Sequence, residues 1–208
     1  MTQTAVKPKL TFEEYIDFCA QTEERYELVR GELVKVTPPT WLHMRIARLL
    51  EQTFNAEIER LQYDWEAFRE PGQRTEADSS RLPDVMVVPL AEIEPVLNQT
   101  AVLTVPAPIV VEIVSPSSAT QDYKGKLKEY EALQVIEYWV VDPEGLGAAK
   151  YIGFPKQPTV SIYRLVAGKY TLLDERGKSR LFRGGDRIKS PTFPAIDLTA
   201  EQVLRGTR

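Results

Sequence analysis

A short apolar run near the middle of the chain constrains the fold more than any other segment. Residues 109–114 read Ile-Val-Val-Glu-Ile-Val, so five of the six are β-branched. β-Branched residues favour strands, and a run with almost no polar alternation is typical of a central strand that is covered on both faces. Ser115 and Pro116 end the run. The chain is therefore predicted to fold as an α/β (α+β) protein around a buried sheet.

The residues before this run predict a helix, a hairpin and a longer helix. Residues 11–14 form a capping box, which begins a short helix. Residues 26–29 and 33–36 flank Arg30-Gly31, where glycine can adopt positive φ, and they predict an N-terminal hairpin. Over residues 43–61, apolar residues recur every three or four positions, which is the spacing of an amphipathic helix.

The other patterns predict strands, one more helix and a second hairpin. Strands are predicted over residues 63–69, 81–88 and 138–141, and a helix over 122–134. A C-terminal hairpin is predicted over 160–165 and 170–173. Residues 71–80 are predicted to be a loop, and residues 89–108 a loop-rich region. No change in composition marks a second domain. We therefore expect a flexible N-terminus over residues 1–9 and a single domain over residues 10–208.

Charge and hydropathy limit the classes of function. The net charge of −4 argues against a protein that coats nucleic acid by electrostatics alone. Local positive charge lies at Lys124, Lys126 and Lys128 and again between Arg176 and Lys189, and either cluster could hold phosphates, although the second could equally be a solvated hairpin surface. No segment is apolar for long enough to cross a bilayer, so we expect a cytoplasmic protein that does not enter membranes.

Two acidic residues interrupt apolar strands. Glu112 shares a strand face with Val110 and Val114, and an ionised carboxylate in such surroundings costs on the order of several kcal/mol unless a cation or donors meet it. The alternative is an edge strand with Glu112 in water. Asp84 follows Pro83 at the start of another apolar segment, where alone it could be a turn or capping residue. Together, the two acids could converge on a hard cation such as Mg²⁺, for which Mn²⁺ can substitute.

The predicted helix over residues 122–134 offers a counter-charge. Lys126 lies about 45° from the centre of its apolar stripe, whereas Lys124 and Lys128 lie more than about 110° away. Lys126 should therefore point toward the acids, unless its ammonium group snorkels to solvent. Asp122, one turn earlier, could cap the helix or pair with Lys126.

Three further side chains are candidates for the same site. Glu27 and Glu32 lie in the N-terminal hairpin, and either could add a carboxylate if the hairpin folds over the sheet; Glu32 is slightly favoured. His43, the only histidine, begins the long helix, where it could contact phosphate, relay protons or simply pack. Lys124 and His43 are the candidate contacts to nucleic acid.

Several stretches of the chain match the pattern of a known family in their order and spacing. They are residues 25–33, 38–39, 83–84, 111–117 and 137–143, together with His43, Asp122, Lys126 and Tyr130. With these residues the chain resembles the Uma2 restriction endonuclease family, a branch of the PD-(D/E)XK nuclease superfamily. The resemblance implies a restriction-endonuclease-like mixed central sheet flanked by helices and Mg²⁺-dependent hydrolysis of phosphodiester bonds in DNA. The superfamily lysine stands two residues after the strand acid, where this chain has Val114, and the resemblance suggests that Lys126 replaces it.

These residues suggest a mechanism and leave two alternatives open. Asp84, Glu112 and the Ile113 carbonyl would hold Mg²⁺, while Lys126 would orient or help deprotonate the attacking water. The first alternative is a catalytically silent module that binds DNA or assembles with protein. The second is a metal-independent glycosidase that uses Asp84 and Glu112 as its acid pair. A homodimer is possible by analogy with nucleases that cut both strands.

Overall fold

The strands of the protein form two sheets. The computed structural model describes residues 9–172 and 181–208. In chain order the strands are β1 (Tyr26–Val29), β2 (Glu32–Lys35), β3 (Trp65–Arg69), β4 (Gly72–Glu76), β5 (Ser79–Arg81), β6 (Val85–Pro89), β7 (Val102–Leu103), β8 (Ile109–Ile113), β9 (Glu137–Asp142), β10 (Thr159–Val166), β11 (Lys169–Thr171) and β12 (Leu181–Phe182). The larger, central sheet has the order β11-β10-β9-β8-β6-β3, with β12 beside β10. The smaller sheet has the order β2-β1-β5-β4-β7.

The apolar run that the sequence places in a central strand lies in the middle of the larger sheet. β8 pairs in parallel with β9 and antiparallel with β6, so the sheet is mixed. All five residues of β8 are buried. Strands β1 and β2 form the N-terminal hairpin, and β10 and β11 form the C-terminal one. The predicted fold class is therefore confirmed, and the smaller sheet adds to it.

Helices cover both faces of the central sheet. The helices of the described residues are α1 (Phe12–Cys19), which packs on the smaller sheet, and α2 (Trp41–Leu61), α3 (Leu90–Ile93), α4 (Lys126–Leu133), α5 (Ala149–Ile152) and α6 (Ala200–Arg205). Odd-numbered residues of β6, β8 and β9 pack with α2 and α6, whereas even-numbered residues pack with α4. Because side chains alternate along a strand, Glu112 faces α4 together with Val110. No helix in the described part of the chain has both the length and the apolar character needed to span a membrane.

The polar region before β6 differs from the sequence prediction. Residues 71–80 are not a loop, because they contain β4 and most of β5, and the strand predicted over 81–88 is interrupted before β6 begins at Val85. The side chains of Gln73 and Arg81 are polar and buried, and both form hydrogen bonds. A strand stabilised in this way lacks the apolar alternation by which strands are recognised.

The helix predicted over residues 122–134 begins with a different kind of turn. Gln121–Gly125 form a π-helical turn, and α4 continues from it to Leu133. A π turn closes hydrogen bonds between residues five apart, and such turns are often found at functional sites. This turn immediately precedes Lys126 and contains Asp122, which are both buried.

Candidate active site

Both acids that interrupt apolar segments line one cleft. The cleft has a volume of about 390 Å³ and lies among the N-terminal hairpin, the start of α2 and the end of β8. Thr40 caps α2 and so fixes the direction from which His43 enters the cleft. Asp84 and Glu112 arrive from the neighbouring strands β6 and β8, at the end of the sheet where β8 finishes. The fold therefore brings the predicted acids to one place.

Glu112 is buried and bonded through both oxygens. Its Oε2 accepts a hydrogen bond from Lys126 Nζ at 2.8 Å, and its Oε1 accepts one from the Tyr130 hydroxyl at 2.8 Å. Only 3% of the residue is exposed. Burial raises the pKa of Glu112 well above its usual value; Lys126 opposes this effect, and the nearby carboxylates of Asp122 and Asp84 add to it. The cationic side chain of Lys126 therefore meets the buried acid. Because β8 lies between β6 and β9, Glu112 is not on an edge strand.

Asp84 lies just before β6 and is held by a side chain and a backbone group. Its Oδ1 lies 2.6 Å from His43 Nε2, and its Oδ2 accepts a hydrogen bond from the backbone N–H of Ile113 at 2.6 Å. Burial would lower the pKa of His43, but the hydrogen bond and the charge of Asp84 raise it above its usual value. His43 thus contacts a carboxylate of the site, and its predicted contact with nucleic acid stays a prediction.

Lys126 stands at the centre of three carboxylates. Its Nζ lies 2.8 Å from Glu112 Oε2, 3.3 Å from Glu27 Oε1 and 3.4 Å from Asp122 Oδ1. Burial would lower the pKa of Lys126, but the three negative charges raise it well above its usual value. Lys126 does not snorkel to solvent, since only 6% of the residue is exposed. Lys124, in the preceding π turn, is exposed to solvent, whereas Lys126 is buried.

Glu27, the less favoured of the two hairpin glutamates, is the one that reaches the cleft. Its Oε2 lies 2.9 Å from Arg81 Nη1. Burial would raise the pKa of Glu27, but Lys126 and Arg81 lower it below its usual value. Glu32, which the sequence favoured for this role, is exposed instead, because it pairs with Val29 beside the turn of the hairpin.

Asp122 belongs to the cluster more firmly than the sequence indicated. The Ser118 hydroxyl donates to its Oδ2 at 2.5 Å. Its Oδ1 is buried and receives no hydrogen bond from the described residues, and Lys126 Nζ lies 3.4 Å away. Burial raises the pKa of Asp122, against the effect of Lys126. The buried carboxylate is therefore held by the Ser118 hydroxyl and by the charge of Lys126.

Two residues of the cluster, Glu27 and Arg81, could not be assigned to it from the sequence alone. Glu27 is a candidate from the sequence but ranks below Glu32, because the strand pattern Tyr26–Val29 does not show how the hairpin packs against the rest of the protein. Arg81, which joins Glu27 to Glu129, lies in a polar strand and gives no signal of a site residue. Of the basic residues between 176 and 189, those up to Arg180 lie outside the described residues, so that predicted cluster is only partly visible.

The cluster suits a divalent cation by charge and by donor type. It contains the four carboxylates of Glu27, Asp84, Glu112 and Asp122, whereas Lys126 and Arg81 supply its cationic side chains, and Arg81 is shared with Glu129. Within residues 9–172 and 181–208, no three His, Cys, Asp or Glu side chains are arranged as a metal site by themselves. Mg²⁺ requires fewer protein ligands, because it keeps several waters and binds one or two carboxylates. Asp84 and Glu112 fit that requirement.

Comparisons with known proteins agree with the fold. The sequence model of the Uma2 family, described as "Putative restriction endonuclease", matches residues 12–201. An uncharacterized protein of Synechocystis sp. (strain PCC 6803), sll1609, is 28% identical over 144 residues, which cover 68% of this chain and 80% of that protein. The crystal structure of a "putative nuclease belonging to DUF820" from Anabaena variabilis ATCC 29413 has a TM-score of 0.67 and 18% identity, and the match covers 95% of this chain and 98% of that one. At this identity the structural similarity establishes the fold alone.

Proposed function

This chain belongs to the Uma2 family, and on that premise we propose that it is a metal-dependent nuclease that hydrolyses phosphodiester bonds of DNA in the cleft around Glu112. The observation that carries the proposal is the convergence of Asp84 and Glu112 from neighbouring strands, with Lys126 bonded to one of them. A buried acid with a perturbed pKa in a cleft, as Glu112 is, is a common mark of catalytic sites.

The chemistry divides between the bound cation and the side chains of the chain. Asp84, Glu112 and the Ile113 carbonyl would hold Mg²⁺, which polarises a phosphate oxygen and lowers the pKa of a bound water. His43 and the Ile113 N–H hold the two oxygens of Asp84 in place. Lys126 is protonated, because its three carboxylate neighbours raise its pKa. It would therefore donate to the water or phosphate and offset the negative charge that develops on the phosphate oxygens, and it would not remove the proton itself.

The silent module remains the second candidate, and one observation favours it. Both oxygens of Glu112 already accept hydrogen bonds, from Lys126 and Tyr130, so a protein without metal could keep this arrangement as a structural ion pair. Metal binding separates the two candidates, since the silent module has no need to bind Mg²⁺ or Mn²⁺ at Glu112.

The first test is calorimetric titration of Mn²⁺ into the wild type and Glu112→Gln, followed by plasmid cleavage with the same samples. We expect Glu112→Gln, Asp84→Asn and Lys126→Met each to lower cleavage by at least about 10²-fold, the typical effect of removing an electrostatic group from a catalytic site. Lys128→Met and Glu32→Gln are the matched controls, because both residues are exposed, and they should cleave as the wild type does.

Folding must be monitored separately, because removal of Lys126 alone leaves Glu112 buried without its cation. The double variant Glu112→Gln with Lys126→Met removes both of these charges and should recover part of the lost stability, since Asp122 still lacks its cation. Full cleavage by a folded Glu112→Gln variant would contradict the proposed function. Absence of Mn²⁺ binding to the wild type would favour the silent module.

A further inference from the structure

A second groove adjoins the catalytic cleft. It has a volume of about 690 Å³ and lies between the start of α2 and the C-terminal segment that contains α6. Leu42 and Pro143 line both the cleft and the groove, so the two lie side by side. A polymer bound in the cleft would reach the groove by crossing these two residues.

The groove is positively charged, although the chain as a whole is negative. Arg45, Arg183 and Arg205 line it, and the one acidic residue of its described lining, Glu201, forms an ion pair with Arg205 at 2.9 Å. Arg183 is held in place by the Thr159 hydroxyl, which accepts from its Nε at 2.9 Å. Since the net charge of the chain is −4, this cluster is a local departure from the overall charge. Clustered arginines are suited to phosphate groups, because each guanidinium stays charged and carries five N–H donors, some of which stay available when others are bonded.

An exposed aromatic residue lies one helical turn before Arg45, outside the lining of the groove. Trp41 is 83% exposed. On a helix of about 3.6 residues per turn, Trp41, Arg45 and Arg48 lie on one stripe of α2. Neither Arg45 nor Arg48 forms an ion pair with any residue in the ranges 9–172 and 181–208. An exposed tryptophan next to unpaired arginines is the combination that binds single strands of nucleic acid, because bases stack on the ring while arginines bind the backbone.

We propose that this groove holds one strand of the DNA substrate next to the catalytic cleft, with Arg45, Arg183 and Arg205 on backbone phosphates and Trp41 stacked on a base. The inference rests on the proposed function, since the strand in the groove is the one whose phosphodiester lies in the cleft. It goes beyond that function by assigning the path of the strand outside the cleft and a specific stacking residue.

The test measures binding without cleavage. Fluorescence anisotropy of a labelled single-stranded 20-nucleotide DNA would be recorded in EDTA, over a range of salt concentrations, for the wild type, Arg45→Glu, Arg205→Glu and Trp41→Ala. Arg164→Glu is the matched control, because Arg164 is exposed on β10, away from the groove, and its replacement changes the net charge equally. Thermal melting of each variant confirms folding, and Arg205→Gln replaces Arg205→Glu if repulsion from Glu201 destabilises α6.

We expect both groove arginine variants to raise the Kd at least about tenfold at low salt and to reduce the salt dependence by about one phosphate contact each. Trp41→Ala should weaken binding at least about fivefold, and Trp41→Phe should retain most of the affinity. Arg164→Glu should change the Kd by less than about threefold.

The outcomes separate this inference from the proposed function. The groove variants could lose binding in a protein that never cleaves DNA with Mg²⁺ or Mn²⁺. That result would support DNA binding in the groove and contradict the proposed nuclease activity. If the groove variants bind the oligonucleotide as Arg164→Glu does, the proposal that the groove holds a DNA strand is wrong, whatever the cleavage assay shows. A wild type that does not bind the oligonucleotide even at low salt would also overturn it.

Discussion

At the residue scale, Glu27 is the carboxylate with the most partners in the site. Arg81 Nη1, Lys126 Nζ and the backbone N–H of Leu82 all lie within hydrogen-bonding or ion-pairing distance of its two oxygens. Removal of its charge leaves two buried cations with fewer anions, which is costly because they have little access to water. The side chain therefore stabilises the fold as well as shaping the cleft.

We predict that Glu27→Gln lowers the free energy of unfolding by on the order of 2 kcal/mol at neutral pH. The folded pKa of Glu27 lies below its ordinary value of 4.5, so its ionised form contributes stability above about pH 4.5, and this contribution is lost as the pH falls through the folded pKa. The difference between wild type and variant in urea unfolding should thus shrink at acidic pH.

Glu32→Gln is the control for this prediction, since Glu32 lies in the same hairpin and is exposed. It should change the unfolding free energy by less than about 0.5 kcal/mol at any of these pH values. Equal effects of the two substitutions would contradict the assignment of Glu27 to the cluster.

The sequence predicts those site residues whose environment can be read from nearby residues. Glu112 is conspicuous among apolar neighbours, and the helical wheel turns Lys126 toward the sheet. The choice between Glu27 and Glu32 depends on how the hairpin packs against the rest of the protein, which no local pattern records. The same is true of Asp122, whose burial results from the packing of the π turn.

At the element scale, β4 shows how a polar strand can be stabilised inside the protein. The Gln73 amide donates to the carbonyls of Leu103 and Val105, and its oxygen accepts from the N–H of Ala107. One side chain thus satisfies the backbone of the segment that leads into β8. The residues that Gln73 stabilises are distant in the sequence. The residues next to Gln73 therefore give no sign that 71–80 form strands.

We predict that Gln73→Leu, which keeps the size of the side chain, lowers the free energy of unfolding by on the order of 3 kcal/mol. Each buried backbone group that loses its partner costs about 1–3 kcal/mol. Gln52→Leu is the comparison, because Gln52 is exposed on α2. Chemical denaturation measures both variants, and a Gln73→Leu protein as stable as Gln52→Leu would show that these hydrogen bonds contribute little.

At the scale of the whole molecule, the alternation of side chains across the central sheet separates two kinds of interior. Apart from Glu137, a buried carboxylate that accepts from Trp139 and Thr192, the odd-numbered side chains of β6, β8 and β9 meet α2 and α6 in an apolar layer. The even-numbered face packs α4 and its tyrosines, and Glu112 lies on that side. The apolar layer can hold the sheet rigid while the other face carries buried charge.

We predict that Mg²⁺ or Mn²⁺ stabilises the folded protein. At a free metal concentration about 100 times the Kd, binding to the native state alone adds about 2.7 kcal/mol, which for a chain of this size raises the Tm by about 5–10 °C. Thermal melting of wild type and Glu112→Gln, with NaCl of equal ionic strength as the control, measures the effect. A shift of equal size in Glu112→Gln would place the stabilising cation elsewhere.

The cluster of charges around Lys126 also bears on how the chain folds. Glu27 and Arg81 are separated by 54 residues, and His43 and Asp84 by 41, so these contacts close long loops. Contacts between residues distant in sequence slow folding, because a long loop must close before they form. The carboxylates of the cluster repel one another, so we expect them to come together only after the surrounding sheet has formed. In a chain that is still unfolded the acids stand apart. The proposed binding of a cation between them, and the proposed hydrolysis that depends on it, would then be acquired together with the native topology.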